Sequence, residues 1–305
     1  MKNFNFNLIK NKNKIFSFSI ALILFSLTGI LYSTFNTPFK KPINLGMDFI
    51  GGNELRVERS CDAECENISP DLVVDKLGKL SKNKNLLNNI KLQIQNNNSL
   101  ISIRTPYLTI EESNDLLSNV DEAVGPLKYE SKESRMIGPQ LGKKLLANCS
   151  SSLIVSLFAI SLYISFRFDK KYALFALLAL FHDLFIVFGI FSWLGVILSI
   201  EVNSLFAVSL LTIAGYSVND TVVIFDRIRE NLKQNSDNFN KTVQTSVNES
   251  FRRTFFTSFT TLIPLLTLMI FGSYSLFWFS VSLSLGILIG SYSSILLAPS
   301  FLLKE

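Results

Sequence analysis

The chain is poor in the side chains that build metal sites and nucleophilic active sites. Its 305 residues include one histidine, His182, and three cysteines, and only 17% of them are charged. One histidine with scattered acidic residues cannot complete the four-ligand set of a zinc site, so we expect neither a metal nor another cofactor. Low charge, 48% hydrophobic residues and a mean hydropathy of +0.34 exclude an ordinary soluble protein and indicate an integral membrane protein.

Motifs of nucleotide-driven and hydrolytic enzymes are also missing. The glycine-rich segment Leu45–Gly52 is not followed by the Lys-Ser/Thr pair that a phosphate-binding loop requires. No Ser-His-Asp set can be placed, and an intramembrane aspartyl protease would need a second aspartate in a Gly-x-Gly-Asp pattern, which Asp183 does not offer. We therefore expect a protein that is not an enzyme.

Six apolar blocks account for the hydrophobicity. Each is close to the roughly 17 to 25 residues that a helix needs to cross a hydrocarbon core of about 30 Å. The blocks are Ile15–Tyr32, Leu145–Phe166, Tyr172–Trp193, Val202–Phe225, Phe255–Phe271 and Phe277–Leu297. The sequence thus predicts a polytopic α-helical membrane protein with six transmembrane helices.

The distribution of lysine and arginine predicts the orientation of these helices, because short loops rich in them stay on the cytoplasmic side. Three segments carry them: Lys2, Lys10, Lys12 and Lys14; Arg167, Lys170 and Lys171; Arg227, Arg229, Lys233, Lys241, Arg252 and Arg253. The short connections 194–201 and 272–276 carry none. We expect a multi-pass protein of the cell inner membrane with both termini in the cytoplasm, and this topology explains the pI near 9.0 without nucleic acid.

A cleaved signal peptide is the alternative for the basic start and the first apolar block, and it would leave five spanning helices. The segment Ser33–Phe39 offers no small-x-small cleavage site, and the apolar run is long for a signal core. We therefore favour a retained helix in the N-terminal part, residues 1–35.

Residues 36–144 form a polar segment that is predicted to be a folded domain outside the membrane. Alternation and turn signals predict strands and helices in the order βαββαβ, which is the ferredoxin-like arrangement. The strands are Glu54–Glu58, Ile90–Gln95, Leu100–Arg104 and Leu127–Met136, and the helices run from Ser69 to about Leu80 and from Thr109 to about Ala123. Cys61 and Cys65 lie in this domain, either as a small-loop disulfide or as two thiols.

The last part of the chain, residues 145–305, is predicted to hold helices two to six. A cytoplasmic loop, residues 227–253, joins the fourth helix to the fifth. Within it Phe239, Val243, Val247 and Phe251 recur at helical spacing, which indicates either an amphipathic helix at the membrane surface or a solvated connector.

Asp220 is the most unusual residue of the fourth block, because a carboxylate within a transmembrane helix is costly and marks a functional site by default. It lies about 9 Å along the helix from Asp226, and Asn219 adds a polar group at the same depth. Burial disfavours the charged carboxylate and a nearby arginine favours it. Arg253, at the start of the fifth helix, is the available cation and would switch Asp220 if it moved. The alternative is that permanent hydrogen bonds pin Asp220 as a packing residue.

A second polar pair, His182 and Asp183, lies within the third block. Adjacent helical residues point about 100° apart, so the two side chains do not readily share a partner. Two roles stay open for Asp183: a step in a proton relay, or a hydrogen-bond clamp between helices.

Several motifs together resemble the SecF family of the resistance-nodulation-division superfamily. They are LGMDFIGG at 45–52, IGPQLG at 137–142, FRF at 166–168, HD at 182–183, GYSVNDTVVIFDRIREN at 215–231, RTFFTS at 253–258 and GSYSS at 290–294. The layout of one helix, a large outside domain and five further helices is also similar to one half of such a transporter.

This resemblance implies a subunit of the SecD-SecF complex, which uses the proton-motive force to help the SecYEG channel export proteins. It implies SecD, SecYEG, YajC and the exported preprotein as partners, in contact with membrane lipid and without nucleic acid. It also implies that the positions matching Asp220 and Arg253 take part in proton passage, with Arg252 as a neighbouring candidate for the arginine. We add Asn219 and Asp183 to the predicted proton pathway.

Two other functions are compatible with the residues alone. One is a proton-coupled small-molecule exporter half of the same superfamily, although a single small outside domain lacks the further subdomains that would enclose a drug. The other is a membrane assembly factor that conducts no protons.

Overall fold

The computed structural model describes residues 7–37, 40–61, 65, 67–69, 72–73, 76–77, 90–95, 99–106, 108–234 and 238–303. The chain divides into two compact units, one of residues 1–44 with 148–305 and one of residues 45–147. In chain order the labelled elements are α1 Leu8–Asn36, α2 Met47–Ile50, β1 Gly52–Arg59, β2 Lys91–Gln95, β3 Leu100–Thr105, α3 Ile110–Val124, β4 Leu127–Ile137, α4 Pro139–Arg167, α5 Lys170–Ile197, α6 Ser204–Gln234, α7 Phe239–Phe271, α8 Tyr274–Tyr292, a π-helical turn Ser293–Leu297 and α9 Ala298–Leu302.

Six of these helices are long and apolar enough to cross a membrane, which confirms the predicted number. They are α1, α4, α5, α6, α7 and a continuous last helix from Ser275 to Leu302 that includes the π-helical turn. Most extend beyond the apolar blocks, because polar residues continue the helices into the aqueous phase. The predicted loop at 227–253 is therefore largely helical, with α6 reaching Gln234 and α7 starting at Phe239.

The second half of that expected loop also packs differently from the surface helix that its spacing suggested. Val243 and Val247 are 0% and 1% exposed and belong to the apolar core of the helical unit. The helix indicated by their spacing is confirmed. Its apolar face packs against the bundle and not against the membrane surface.

Helix α1 is an integral part of the bundle. It packs along α5, where the side chain of Ser26 meets Gly189 so closely that a Cβ at Gly189 would collide with it. Small residues allow such close approach of membrane helices. Near its start, Lys12 Nζ donates a 3.0 Å hydrogen bond to the carbonyl of Leu303. Residues of α1 therefore contribute to the packing of the helical unit.

The unit of residues 45–147 has the predicted ferredoxin-like sheet. Its strand order is β2-β3-β1-β4, and all pairs are antiparallel. Leu55, Val57, Ile101 and Ile103 line one face of the sheet and are buried against α3 residues such as Val120. The alternation seen in the sequence follows from this one-sided burial.

The two predicted helices of this unit differ in how far the structure describes them. Thr109 caps α3: its Oγ1 accepts a hydrogen bond from the amide of Glu112, whose carboxylate accepts one from the amide of Thr109. Of the helix predicted between Ser69 and Leu80, only 72–73 and 76–77 are described as helical, and Val73 and Leu77 are buried in the core. The remainder of that helix, and residues 96–98 of the predicted hairpin turn, lie outside the described residues.

Two glycine motifs, far apart in sequence, meet where the chain enters and leaves this unit. Gly51 has a φ of +84°, which favours glycine, and a Cβ there would lie 2.9 Å from the backbone of Pro139. A Cβ at Gly142 would lie 2.9 Å from the carbonyl oxygen of Phe49. The segments 45–52 and 137–142 therefore need glycine because their backbones touch each other.

Cys61 and Cys65 are joined in a disulfide. The pairing selects one of the two states that the sequence left open. A disulfide is typical of an oxidising compartment outside the cytoplasm.

Candidate functional site

Asp220 lies on the inward side of α6 and is 3% exposed. Its Oδ2 has no hydrogen-bond partner among the described residues. Two hydroxylated neighbours of Asp220 on α6 bind other residues: Ser217 donates to Asp183, and the hydroxyl of Thr221 lies 2.8 Å from that of Ser294. Permanent hydrogen bonding, the alternative role for Asp220, is therefore not the arrangement that the described residues show.

Arg253 is the basic residue whose charge acts on Asp220. Its side chain is exposed on α7, and the interaction is electrostatic over a distance instead of a direct hydrogen bond. Arg252 is directed to a different neighbour, since its guanidinium carbon lies 5.8 Å from the ring centroid of Phe256. Because Arg252 and Arg253 have different neighbours, the structure distinguishes the two candidate arginines, which the sequence alone could not do.

Asp183, on α5, has the opposite environment. It is 0% exposed and accepts two hydrogen bonds at Oδ2, from the hydroxyls of Ser217 and Ser293, each 2.6 Å long. Its Oδ1 lies 2.9 Å from His182 Nδ1. Both oxygens are therefore bound, and the carboxylate joins α5, α6 and the π-helical turn.

The π-helical turn is what brings two successive serines to this layer. Ser293 reaches Asp183, while Ser294 lies against Thr221 and donates a 3.2 Å hydrogen bond to the carbonyl of Ser217. In a regular α-helix, adjacent side chains point about 100° apart. Single π-turns inside α-helices are frequent at functional sites.

A second polar contact lies on the other side of α6. Tyr216 donates a 2.9 Å hydrogen bond to Ser258 of α7, and the hydroxyl of Ser258 lies 2.6 Å from that of Ser291 on α8. Residues next to Asp220 on α6 are thus hydrogen-bonded to α5 and to α7, and Ser258 of α7 extends the second contact to α8.

Asn219 does not join the buried site. It is exposed on α6, and so are Thr212 and Gly215, which share its face at a spacing of three to four residues. The structure therefore brings Asp183 together with Ser217 and Ser293, whereas Oδ2 of Asp220, on α6, has no partner among the described residues. Asn219 lies on the exposed face of α6.

Sequence reasoning missed the roles of the charged residues that follow Asp220. Arg167 Nη2 lies 2.6 Å from Asp226 Oδ2, and Arg227 Nε lies 2.8 Å from Glu249 Oε2. Asn231 also donates to Glu249 at 2.9 Å. These contacts join the C-terminal ends of α4 and α6 to the N-terminal part of α7. The signal was the run of alternating charges at 226–231, which we assigned to topology alone.

Within the described part of the chain, no three His, Cys, Asp or Glu side chains gather in a metal-binding arrangement. The groups present at the site are carboxylates, hydroxyls and an imidazole, which can hold or pass protons, and a guanidinium, which stays protonated and supplies a fixed positive charge.

Comparison with known families identifies two matching segments. Residues 117–304 match the family described as Protein export membrane protein SecD/SecF, C-terminal, and residues 38–63 match the SecD/SecF GG motif. The second match contains Gly51, whose backbone touches the segment at 137–142.

Curated relatives resemble the chain over most of its length. A protein translocase subunit SecF from Prochlorococcus marinus is 44% identical, with 98% of this chain and 95% of the relative covered. A subunit of the same name from Synechocystis is 37% identical, with 92% of this chain and 88% of the relative covered.

Solved structures show the same architecture. The crystal structure of SecDF, a translocon-associated membrane protein from Thermus, matches with a TM-score of 0.79 and 28% identity. The match covers 98% of this chain and 38% of the SecDF chain. A SecDF crystallised in a super-membrane-facing form matches with a TM-score of 0.68 and 28% identity over 99% of this chain and 39% of its own.

Proposed function

This chain belongs to the SecF family of protein translocase subunits, and from that premise we propose that it uses the proton-motive force to assist protein export through a SecYEG channel. The observation that carries the proposal is the buried, partly unbonded carboxylate of Asp220 in a membrane helix. Intramembrane carboxylates of this kind mark proton and ion pathways.

Asp220 and Arg253 form the proposed proton site. A charged Asp220 lacks hydrogen bonds that would hold it permanently ionised, so its protonation depends on the position of the Arg253 guanidinium and on water. Arg253 is exposed, and a long basic side chain can reach inward or turn to the aqueous phase. Movement of Arg253 toward Asp220 favours proton release, and movement away favours proton uptake.

Asp183 couples this site to the rest of the bundle. Ser217, its hydrogen-bond donor, precedes Asp220 by less than one turn of α6, and Ser293 belongs to the π-helical turn. A rotation of α6 that follows the charge on Asp220 would pull on Asp183 and through it on the last helix. We therefore assign Asp183 a positioning role in the proposed pathway.

We propose that SecD supplies the second half of the transporter and binds along the exposed face of α6. This chain spans only about two-fifths of the Thermus SecDF chain that it resembles. Polar and small residues such as Asn219, Thr212 and Gly215 are exposed on a membrane helix, where a partner helix suits them better than lipid. Asn219 would then contribute to the proton pathway from the subunit interface.

The outside domain, residues 45–147, is proposed to lie in the periplasm and to work with SecD on the emerging preprotein. The Cys61–Cys65 disulfide supports a location outside the cytoplasm. Lysine and arginine at the opposite ends of the membrane helices support an inner-membrane orientation with both termini in the cytoplasm. YajC remains a partner that the family resemblance alone suggests.

The energy available from one proton sets the scale of the coupled motion. Moving one charge across a potential of 100 mV supplies about 2.3 kcal/mol, while reversing a two-state population from about 1:99 to 99:1 needs about 5.5 kcal/mol. We expect more than one proton, or a pH difference as well, for each large movement. A measured stoichiometry of one proton per cycle at low driving force would contradict this expectation.

The central test replaces Asp220 by asparagine in the full chain, reconstituted with SecD and SecYEG. We expect that the part of preprotein export driven by the proton-motive force disappears, together with proton flux, because an amide cannot carry the proton. Asp226→Asn is the matched control on the same helix, since Asp226 is an exposed partner of Arg167. Unchanged export and flux in Asp220→Asn would favour a non-conducting assembly factor.

A further inference from the structure

An apolar crevice opens between four membrane helices, α1, α4, α5 and α6. Its volume is about 540 Å³, which falls within the range of small-molecule sites. Its walls are mostly aliphatic and aromatic, with Ile23 from α1, Leu153 and Leu157 from α4, Phe181 and Phe185 from α5, and Leu210 from α6. None of the residues in the most apolar 18-residue stretch of α4 is buried. The wall that α4 contributes therefore makes few close contacts with the other helices.

His182 is the polar residue among the described lining residues of this crevice. The side chain is 7% exposed, and its Nδ1 is occupied by Asp183. Its Nε2 has no hydrogen-bond partner among the described residues. A buried polar nitrogen without a partner is costly, and the residue that carries it lines the crevice.

Water is a poor partner for His182 Nε2. A buried water needs two to four polar partners, and apolar cavities stay dry, whereas the surrounding leucine and phenylalanine side chains supply none. An amphiphile with one polar atom and an apolar body matches both the lining and the single unbonded nitrogen.

The histidine chemistry selects a hydroxyl as that polar atom. When Nδ1–H donates to an ionised Asp183, Nε2 is an acceptor; when the ring carries its proton on Nε2, it is a donor. A hydroxyl serves as donor or acceptor and fits both tautomers. A carbonyl fits only one of them.

The depth of His182 excludes the polar groups of ordinary phospholipids. His182 follows Lys170, the first residue of α5, by about 18 Å along the helix axis, in a hydrocarbon core about 30 Å thick. Phospholipid headgroups stay at the interface, so a phospholipid could supply only an acyl chain here.

We propose that this crevice binds a neutral, membrane-soluble amphiphile with an aliphatic tail, whose hydroxyl hydrogen-bonds to His182 Nε2. The site is separate from the proposed proton exchange at Asp220 and needs no proton flux to be detected.

Photolabelling of the full chain in lipid nanodiscs tests the site. The probe is hexadecanol with a diazirine in its chain, compared with hexadecane and with a phospholipid acyl chain that carry the same diazirine. We expect the alcohol to label peptides of α4 and α5 at the crevice about tenfold more than either comparison probe, the effect of one buried hydrogen bond. His182→Phe should reduce the alcohol to the level of hexadecane.

Two variants of α4 keep the test valid if His182→Phe folds poorly. Leu153→Trp fills the crevice without touching a polar group and should abolish labelling by the alcohol. Ile154→Trp, at a neighbouring position that is 67% exposed, should leave it unchanged. Equal labelling by all three probes, or a preference for the alcohol that survives in His182→Phe or Leu153→Trp, would overturn the proposal.

Discussion

Asp183 and Asp220 are both buried carboxylates on packed membrane helices, yet their surroundings are opposite. Asp183 accepts hydrogen bonds from Ser217 and Ser293 and contacts His182, whereas Oδ2 of Asp220 has no partner among the described residues. A carboxylate held by three hydrogen-bond partners stabilises the bundle in one state. A carboxylate without them depends on whatever approaches it, which is the property a proton site requires.

Glu54 in the outside domain provides a third case, a buried carboxylate bound by cations. Arg104 Nε and Arg56 Nη2 lie 3.0 and 3.2 Å from its Oε1, and Ser102 donates to the same oxygen. Burial disfavours its charged form, but the two guanidinium groups outweigh burial and hold the pKa of Glu54 below its usual value. Full pairing therefore distinguishes Glu54 and Asp183 from Asp220.

The largest effect on stability is expected for Asp183→Ala. The substitution leaves Ser217, Ser293 and His182 buried without their common acceptor, and breaking such a buried charged network costs about 3 to 5 kcal/mol. The measurement is unfolding of the full chain in mixed micelles. Asp183→Asn, which keeps one acceptor oxygen, should lose less, and a cost for Asp183→Ala below about 1 kcal/mol would remove the distinction between the two aspartates.

A smaller effect, dependent on pH, is expected at Glu54. Because its folded pKa is lowered, its stabilising contribution is present above the unfolded value of about 4.3 and is lost as the pH falls through the folded value. Glu54→Gln should cost about 1 to 3 kcal/mol at neutral pH and weaken the acid dependence. Hydrogen-exchange protection of β1 and β3 in the full chain measures both.

The matched control for that experiment is Glu58→Gln. Glu58 lies on the same strand, but its side chain is 47% exposed and its lysine partner is 3.9 Å away. We expect almost no change in protection. An acid dependence that is the same in Glu54→Gln and in the unmodified chain would show that another group causes it.

The smallest effect on stability is expected for Asp220→Asn. The amide removes an incompletely bonded carboxylate from a buried position, which avoids the cost of burying a charge. We expect the free energy of unfolding to rise slightly, by less than about 1 kcal/mol. A loss as large as that of Asp183→Ala would mean that Asp220 is structural.

Much of the fold was accessible from the sequence because local patterns determine it. Apolar runs of sufficient length produced the six helices, and the strand alternation of 100–104 reflects one buried face. Thr109 and Glu112 form a capping box recognisable at a spacing of three. Asp220 stood out because its neighbours in sequence are apolar.

The partners of each site residue were not accessible, because they come from distant parts of the chain. Ser293 lies 110 positions from Asp183 and reaches it through a π-helical turn that no local pattern announced. Likewise, the direction of Arg253 depends on the phase of α7, and the exposure of Asn219 depends on which face of α6 the other helices cover. The sequence identified the polar residues that are costly to bury in a membrane helix. The packing of the helices determined which of them find hydrogen-bond partners.

The most direct measurement is infrared difference spectroscopy of the carboxyl bands during a pH titration of the full chain in lipid. The account predicts a protonation band that disappears in Asp220→Asn and persists in Asp183→Asn. A band that persists in Asp220→Asn and disappears in Asp183→Asn would contradict it, because the fully bonded carboxylate would then be the one that exchanges protons.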